Sequence, residues 1–118
     1  MSAVVLVVED EFLIRLDTVQ MVEEAGCETL EAANAGEALA ILARRPDIAI
    51  AFTDINMPGS MNGLELAQVI AENWPSVRVV LTSGKVVVRD EELPDHDRFI
   101  PKPFSSDQIA RVLHELAP

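Results

Sequence analysis

A chain of 118 residues with 20 acidic and nine basic side chains carries a formal charge of −11, which argues against direct binding to nucleic-acid backbones. It is long enough for one core without metal or disulfide staples, and its 49% hydrophobic and 25% charged shares are those of a soluble globular protein. No apolar run approaches the roughly 20 residues that cross a bilayer, and the Met-Ser-Ala-Val-Val start lacks the basic flank and cleavage site of a signal peptide. The only cysteine, Cys27, fits a reducing cytoplasm and a filler role better than that of a nucleophile. Residues 1–118 are expected to form a single domain, free-standing or one module of a longer chain.

Ala3 to Val8 is a continuous apolar, mostly β-branched run, the pattern of a strand covered on both faces, and it ends on Glu9, Asp10 and Glu11. Phe12, Leu16, Val19 and Val22, with Ile14 and Met21 beside them, recur at helical spacing until Gly26. Thr29 to Ala33 is a short, weak strand. Asn34 predicts an N-cap for a helix through Ala38, Leu39 and Leu42, ending before Pro46. Ile48 to Thr53 is the second strongly buried strand and stops on Asp54, followed by a loop rich in Asn, Pro and Gly. Leu64 to Asn73 returns to helical spacing, and Trp74-Pro75 closes it. Val77 to Leu81 is a fourth strand leading into Thr82-Ser83-Gly84. Arg98 to Ile100 is short and bounded by Pro101-Lys102-Pro103. Ser105 and Gln108 have capping-box spacing before a stripe of Ile109, Val112, Leu113 and Leu116.

Between Gly84 and Phe99 an α/β alternation calls for a helix, yet three consecutive valines and Pro94 oppose one. At most one or two turns are expected there, around Asp90 to Leu93. Elsewhere strands alternate with helices, which specifies an α/β fold: a parallel sheet with helices on both faces.

Parallel strands deliver their C-terminal ends to one edge, where ligands of such sheets bind. Glu9 and Asp10 follow the first strand, Asp54 the third, Thr82 the fourth and Lys102 the fifth. Three converging carboxylates repel one another, and a Mg²⁺ ion with its hard oxygen ligands relieves that repulsion. A carboxylate beside such an ion stays charged and can attack phosphorus, with Lys102 and the Thr82 hydroxyl neutralising the surrounding oxygens. Each residue also has a plain alternative: acids favouring a helix N-terminus, a turn threonine, a surface lysine. Their joint spacing is far more specific than any one of them.

With these residues in view, the chain resembles a response-regulator receiver domain of the CheY-like superfamily, from Val4 to Leu116. Four motifs carry the resemblance: Val-Val-Glu-Asp at positions 7 to 10, Asp-Ile-Asn-Met-Pro-Gly from Asp54, Leu-Thr-Ser-Gly from Leu81, and Pro-Lys-Pro-Phe from Pro101. The resemblance implies a doubly wound, flavodoxin-like five-stranded sheet in the order 2-1-3-4-5, here with a shortened or irregular fourth helix. It implies that Asp54 is the phosphoacceptor, served by a sensor histidine kinase or a histidine phosphotransfer protein. Asp10, Glu9, Asp54 and the backbone carbonyl of Asn56 would hold Mg²⁺ or Mn²⁺, and Lys102 would pair with a phosphoryl oxygen. Thr82 and Phe99 would form the switch, and the Lys102–Pro103 bond would be cis. An output protein, a cytoplasmic setting and a candidate homodimer complete what it implies.

Several positions depart from the family pattern. Glu9 stands where Asp is more common, the loop from Pro58 to Gly63 is one residue longer than the commonest form, and Phe99 lacks the hydroxyl of the alternative tyrosine. Lys85 to Asp97 is irregular, so the usual dimer face is expected to be built differently. A nucleotide- or flavin-binding α/β protein is disfavoured, because acids rather than a glycine-rich motif follow the first strand. A receiver-like interaction module that never becomes phosphorylated would be favoured by loss of an acid, the threonine or the lysine, and none is missing.

Overall fold

The computed structural model describes residues 3–94 and 96–117; Met1, Ser2, Asp95 and Pro118 lie outside it. Five strands form one sheet: β1 (Val4–Val8), β2 (Glu28–Ala32), β3 (Ile48–Asp54), β4 (Arg78–Ser83) and β5 (Arg98–Pro101). Their order is β2-β1-β3-β4-β5, and every pairing is parallel. The helices are α1 (Phe12–Glu24), α2 (Ala35–Arg44), α3 (Gly63–Asn73) and α4 (Ser106–Leu116).

Side chains alternate across each strand, so one sheet supplies two cores. On one face Leu6, Val8, Ala51 and Leu81 pack with Leu42 of α2 and with Leu66 and Ile70 of α3. On the other Val5, Val7, Phe52 and Val80 pack with Val19 and Val22 of α1 and with Ile109 and Leu113 of α4. All five residues of β1 are buried, as a central strand covered from both sides requires.

Helix starts follow local chemistry. Asn34 accepts the Glu37 N–H, while Asn62 with Glu65 and Ser105 with Gln108 form complete capping boxes. Asn62 therefore starts α3 at Gly63, one residue ahead of the Leu64 expected from spacing. Asp54 is the last residue of β3 rather than the first beyond it, and Thr82 and Ser83 belong to β4.

The apolar face expected for α1 needs correction. Val19 and Val22 are buried, but Phe12 and Leu16 are 61% and 48% exposed, as is Leu13 at 72%. This helix starts at the edge where the strands end, and its buried set begins only at Thr18. Periodicity finds the helix without revealing which part of it the sheet covers. Where a fourth helix would complete the alternation, a single 3₁₀ turn spans Asp90–Glu92. Val88 turns into the core there, while Val86 and Val87 face outward.

Candidate functional site

Each functional side chain is placed by a strand end. The register pairs Val8 with Thr53 and Asp54 with Thr82, so the residues just past β1 stand beside the end of β3. Glu9 and Asp54 are buried to 4% and 5% exposure, and carboxylate oxygens of Glu9, Asp10 and Asp54 lie within 4.8 Å of one another. Lys102, carried past β5 with its N–H on the Ser83 carbonyl at 3.0 Å, points its ammonium into this group. Its Nζ lies 2.9 Å from Glu9 Oε1 and 3.4 Å from Asp54 Oδ2. The Lys102–Pro103 peptide is cis.

Burial pushes the Glu9 carboxyl above its ordinary range, with the Asp54 charge adding to the rise and hydrogen bonds from Lys102 and the Glu11 amide opposing it. Burial also works against the Lys102 charge, but the two neighbouring carboxylates outweigh it and hold the ammonium more firmly protonated than usual. The longer reach of glutamate matters at position 9. Its Oε1 meets Lys102 while its Oε2 accepts the Glu11 N–H at 3.1 Å.

The loop after β3 is pinned close by. The Asn56 N–H donates to Asp54 Oδ1 at 3.3 Å, and Asn56 Oδ1 accepts from the Ser83 hydroxyl at 2.6 Å. That hydroxyl also accepts the Lys85 and Val86 N–H groups, each at 3.0 Å. Gly63 donates to the Ile55 carbonyl at 2.9 Å, and a Cβ there would collide with the Asp54 carbonyl and sit 2.7 Å from Ile55 Cα. Only glycine lets α3 start this close to the site.

Asp10, Asp54, Asn56, Gly84, Lys85 and Lys102 line an open cleft of about 420 Å³. Both lysines of the chain stand at this one cleft. Thr82 is buried, and among the described residues its hydroxyl has no hydrogen-bond partner. Phe99 is set differently: the register puts it beside Leu81, whereas Ile100 is the residue paired with Thr82. Its ring packs against the core that holds Leu81 and Val8.

Sequence reasoning passed over Ser83, whose hydroxyl ties Asn56 to the segment after β4, and Arg15, which reaches back from α1 to the Glu9 carbonyl at 2.8 Å. A serine after Thr82 looks like a turn residue. A lone arginine in the first turns of a helix whose other charges are all acidic was the available clue to the other.

The topology and the helix placement define a doubly wound α/β domain of the CheY-like class. The family model for the response regulator receiver domain matches residues 5–114, and the chain belongs to that family. It is 32% identical to the sensor kinase CckA of Brucella abortus over 98% of this chain, spanning 12% of that relative's length. It is 30% identical to sporulation initiation phosphotransferase F of Bacillus subtilis, covering 100% of this chain and 96% of the relative. A solved response regulator receiver protein from Sinorhizobium medicae superposes with a TM-score of 0.87 at 25% identity, over 98% of this chain and 94% of the other.

The domain is a phosphoacceptor signalling switch of the two-component and phosphorelay type. Receiver domains bind Mg²⁺ through an acidic pocket, and Glu9, Asp10 and Asp54 form such an acidic group here. They work with histidine kinases or phosphotransfer proteins and with output domains. Among the described residues no helix is long and apolar enough to cross a membrane.

Proposed function

We propose that Asp54 is the residue that accepts the phosphoryl group. An Asp54 carboxylate oxygen attacks phosphorus of a phosphohistidine on a partner. The P–N bond breaks with its electron pair returning to the imidazole, and an aspartyl phosphate forms. The observation that carries this reading is the placement of Asp54 at the end of β3, within 4.8 Å of Glu9 and Asp10 oxygens and 3.4 Å from the Lys102 ammonium.

Glu9, Asp10 and Asp54, joined by the Asn56 backbone carbonyl, would hold Mg²⁺ or Mn²⁺. The all-oxygen donor set fits such hard cations, and the buried Thr82 hydroxyl, without a hydrogen-bond partner among the described residues and carried by the residue paired with Asp54, fits a site that receives another oxygen. When bound, the ion neutralises charge on the transferring group. Lys102 supplies a second positive charge, and Thr82 supplies a donor to an incoming oxygen. Movement of Thr82 toward that oxygen, with Phe99 adjusting in the next strand, would carry the change to the surface.

The donor is a sensor histidine kinase or a histidine phosphotransfer protein in the cytoplasm, and the recipient of the signal is an output protein. Intact-protein mass spectrometry after treatment with acetyl phosphate and Mg²⁺ tests the assignment. One phosphoryl adduct is expected on the unaltered protein and none on Asp54→Asn; undiminished labelling of that variant defeats the assignment.

A further inference from the structure

We propose that Arg15 is a positioning residue for cation binding, acting by fixing the peptide between Glu9 and Asp10; this rests on the reading that these acids hold Mg²⁺. β1 ends at Val8, so the Glu9 carbonyl lies just beyond the strand, in the residue that also carries one carboxylate of the acid cluster. The Glu9 N–H is held by the Ala32 carbonyl at 3.0 Å, and the Glu9 carbonyl is held by Arg15 Nη1 at 2.8 Å. Arg15 is itself fixed: Nε donates to Glu31 Oε1 at 3.1 Å, and the guanidinium carbon lies 5.5 Å from the centre of the Phe12 ring. Its side chain is only 16% exposed.

The peptide plane that Arg15 grips leads directly into Asp10. Rotating that plane moves the Asp10 carboxylate relative to Glu9 and Asp54, and Mg²⁺ tolerates little departure from octahedral geometry. A guanidinium suits this task because its planar fork can serve the Glu9 carbonyl and the Glu31 carboxylate together, which the point-like ammonium of lysine cannot. Coulomb's law alone predicts the reverse effect, since a positive charge near the site repels a cation. Positioning and charge therefore give opposite signs when Arg15 is removed.

Mg²⁺ titrations followed by amide chemical shifts decide between them. Arg15→Met is expected to weaken Mg²⁺ binding by about tenfold, the lower end of what losing a ligand-orienting partner costs. Arg15→Lys, which keeps the charge but not the fork, is also expected to bind several-fold more weakly than the unaltered protein. Affinity unchanged or raised in Arg15→Met overturns the proposal, as does an Arg15→Lys variant that binds as tightly as the unaltered protein. Absence of Mg²⁺ binding by the unaltered protein overturns the reading of the acid cluster and this proposal together, whereas equal binding by all three proteins overturns only the role of Arg15.

Discussion

The Lys102 ammonium lies 2.9 Å from the Glu9 carboxylate, across 93 positions of sequence. With its second contact to Asp54 at 3.4 Å, it is a positive charge shared by two buried acids that belong to different strand ends. Replacing it by methionine removes this compensation while keeping most of the packing. At neutral pH, Lys102→Met is expected to lower stability by about 1–3 kcal/mol, less than the loss of a fully buried partner because the lysine side chain is 20% exposed. Added Mg²⁺ should recover more of that loss in the variant than it adds to the unaltered protein, because only the folded acid cluster binds it. Urea unfolding with and without Mg²⁺ measures both effects; a variant as stable as the parent in metal-free buffer would refute the pairing.

Asp97 gives the fold a dependence on pH. Its carboxylate is buried and accepts the Val79 N–H at 2.9 Å. That amide lies one step before the first β4–β5 register pair, Val80 with Arg98, so the side chain supplies an acceptor where the ladder has not begun. Burial raises the Asp97 carboxyl above its ordinary value of 3.8, opposed by the Val79 hydrogen bond and the charges of His96, Arg98 and Arg78. The folded protein thus binds this proton more tightly than the unfolded chain does. The resulting stabilisation is complete below about pH 3.8 and is lost as the pH rises through the folded value. Asp97→Asn keeps an acceptor for Val79 without the charge. It is expected to be more stable than the parent at pH 7, on the order of 1 kcal/mol, with the difference shrinking as the pH falls. Thermal unfolding of both proteins between pH 7 and pH 4 checks this, and a variant less stable at pH 7 would mean that the three basic neighbours outweigh burial.

Much of this architecture was legible because its cause is local. β1 and β3 are buried on both faces and therefore read as unbroken apolar runs, and Asn34 and Ser105 announce helix starts through their own side chains. The acids, Thr82 and Lys102 could be collected on one edge because parallel topology leaves no other arrangement. Roles that depend on a distant partner were not legible. Ser83 matters through Asn56, 27 positions away, and Asp97 through Val79, 18 positions away. The error at Phe12 and Leu16 has a related origin: spacing defines a helical stripe, but only the extent of the sheet decides how much of it is covered.

The solitary hydroxyl of Thr82 has an energetic consequence. Among the described residues nothing receives the hydrogen of this buried donor, and a group so placed typically costs about 1–3 kcal/mol, so the unphosphorylated domain is expected to be slightly destabilised at this one atom. An oxygen attached to Asp54 would relieve that imbalance, and about 1.4 kcal/mol of relief is tenfold in a conformational equilibrium. Thr82→Val removes the hydroxyl and is expected to make the unmodified protein melt higher while flattening its response to acetyl phosphate. A lower melting point for that variant would show that the hydroxyl already contributes to the resting fold. A higher one would mean that the frustration of a single side chain is what makes this protein ready to be tipped.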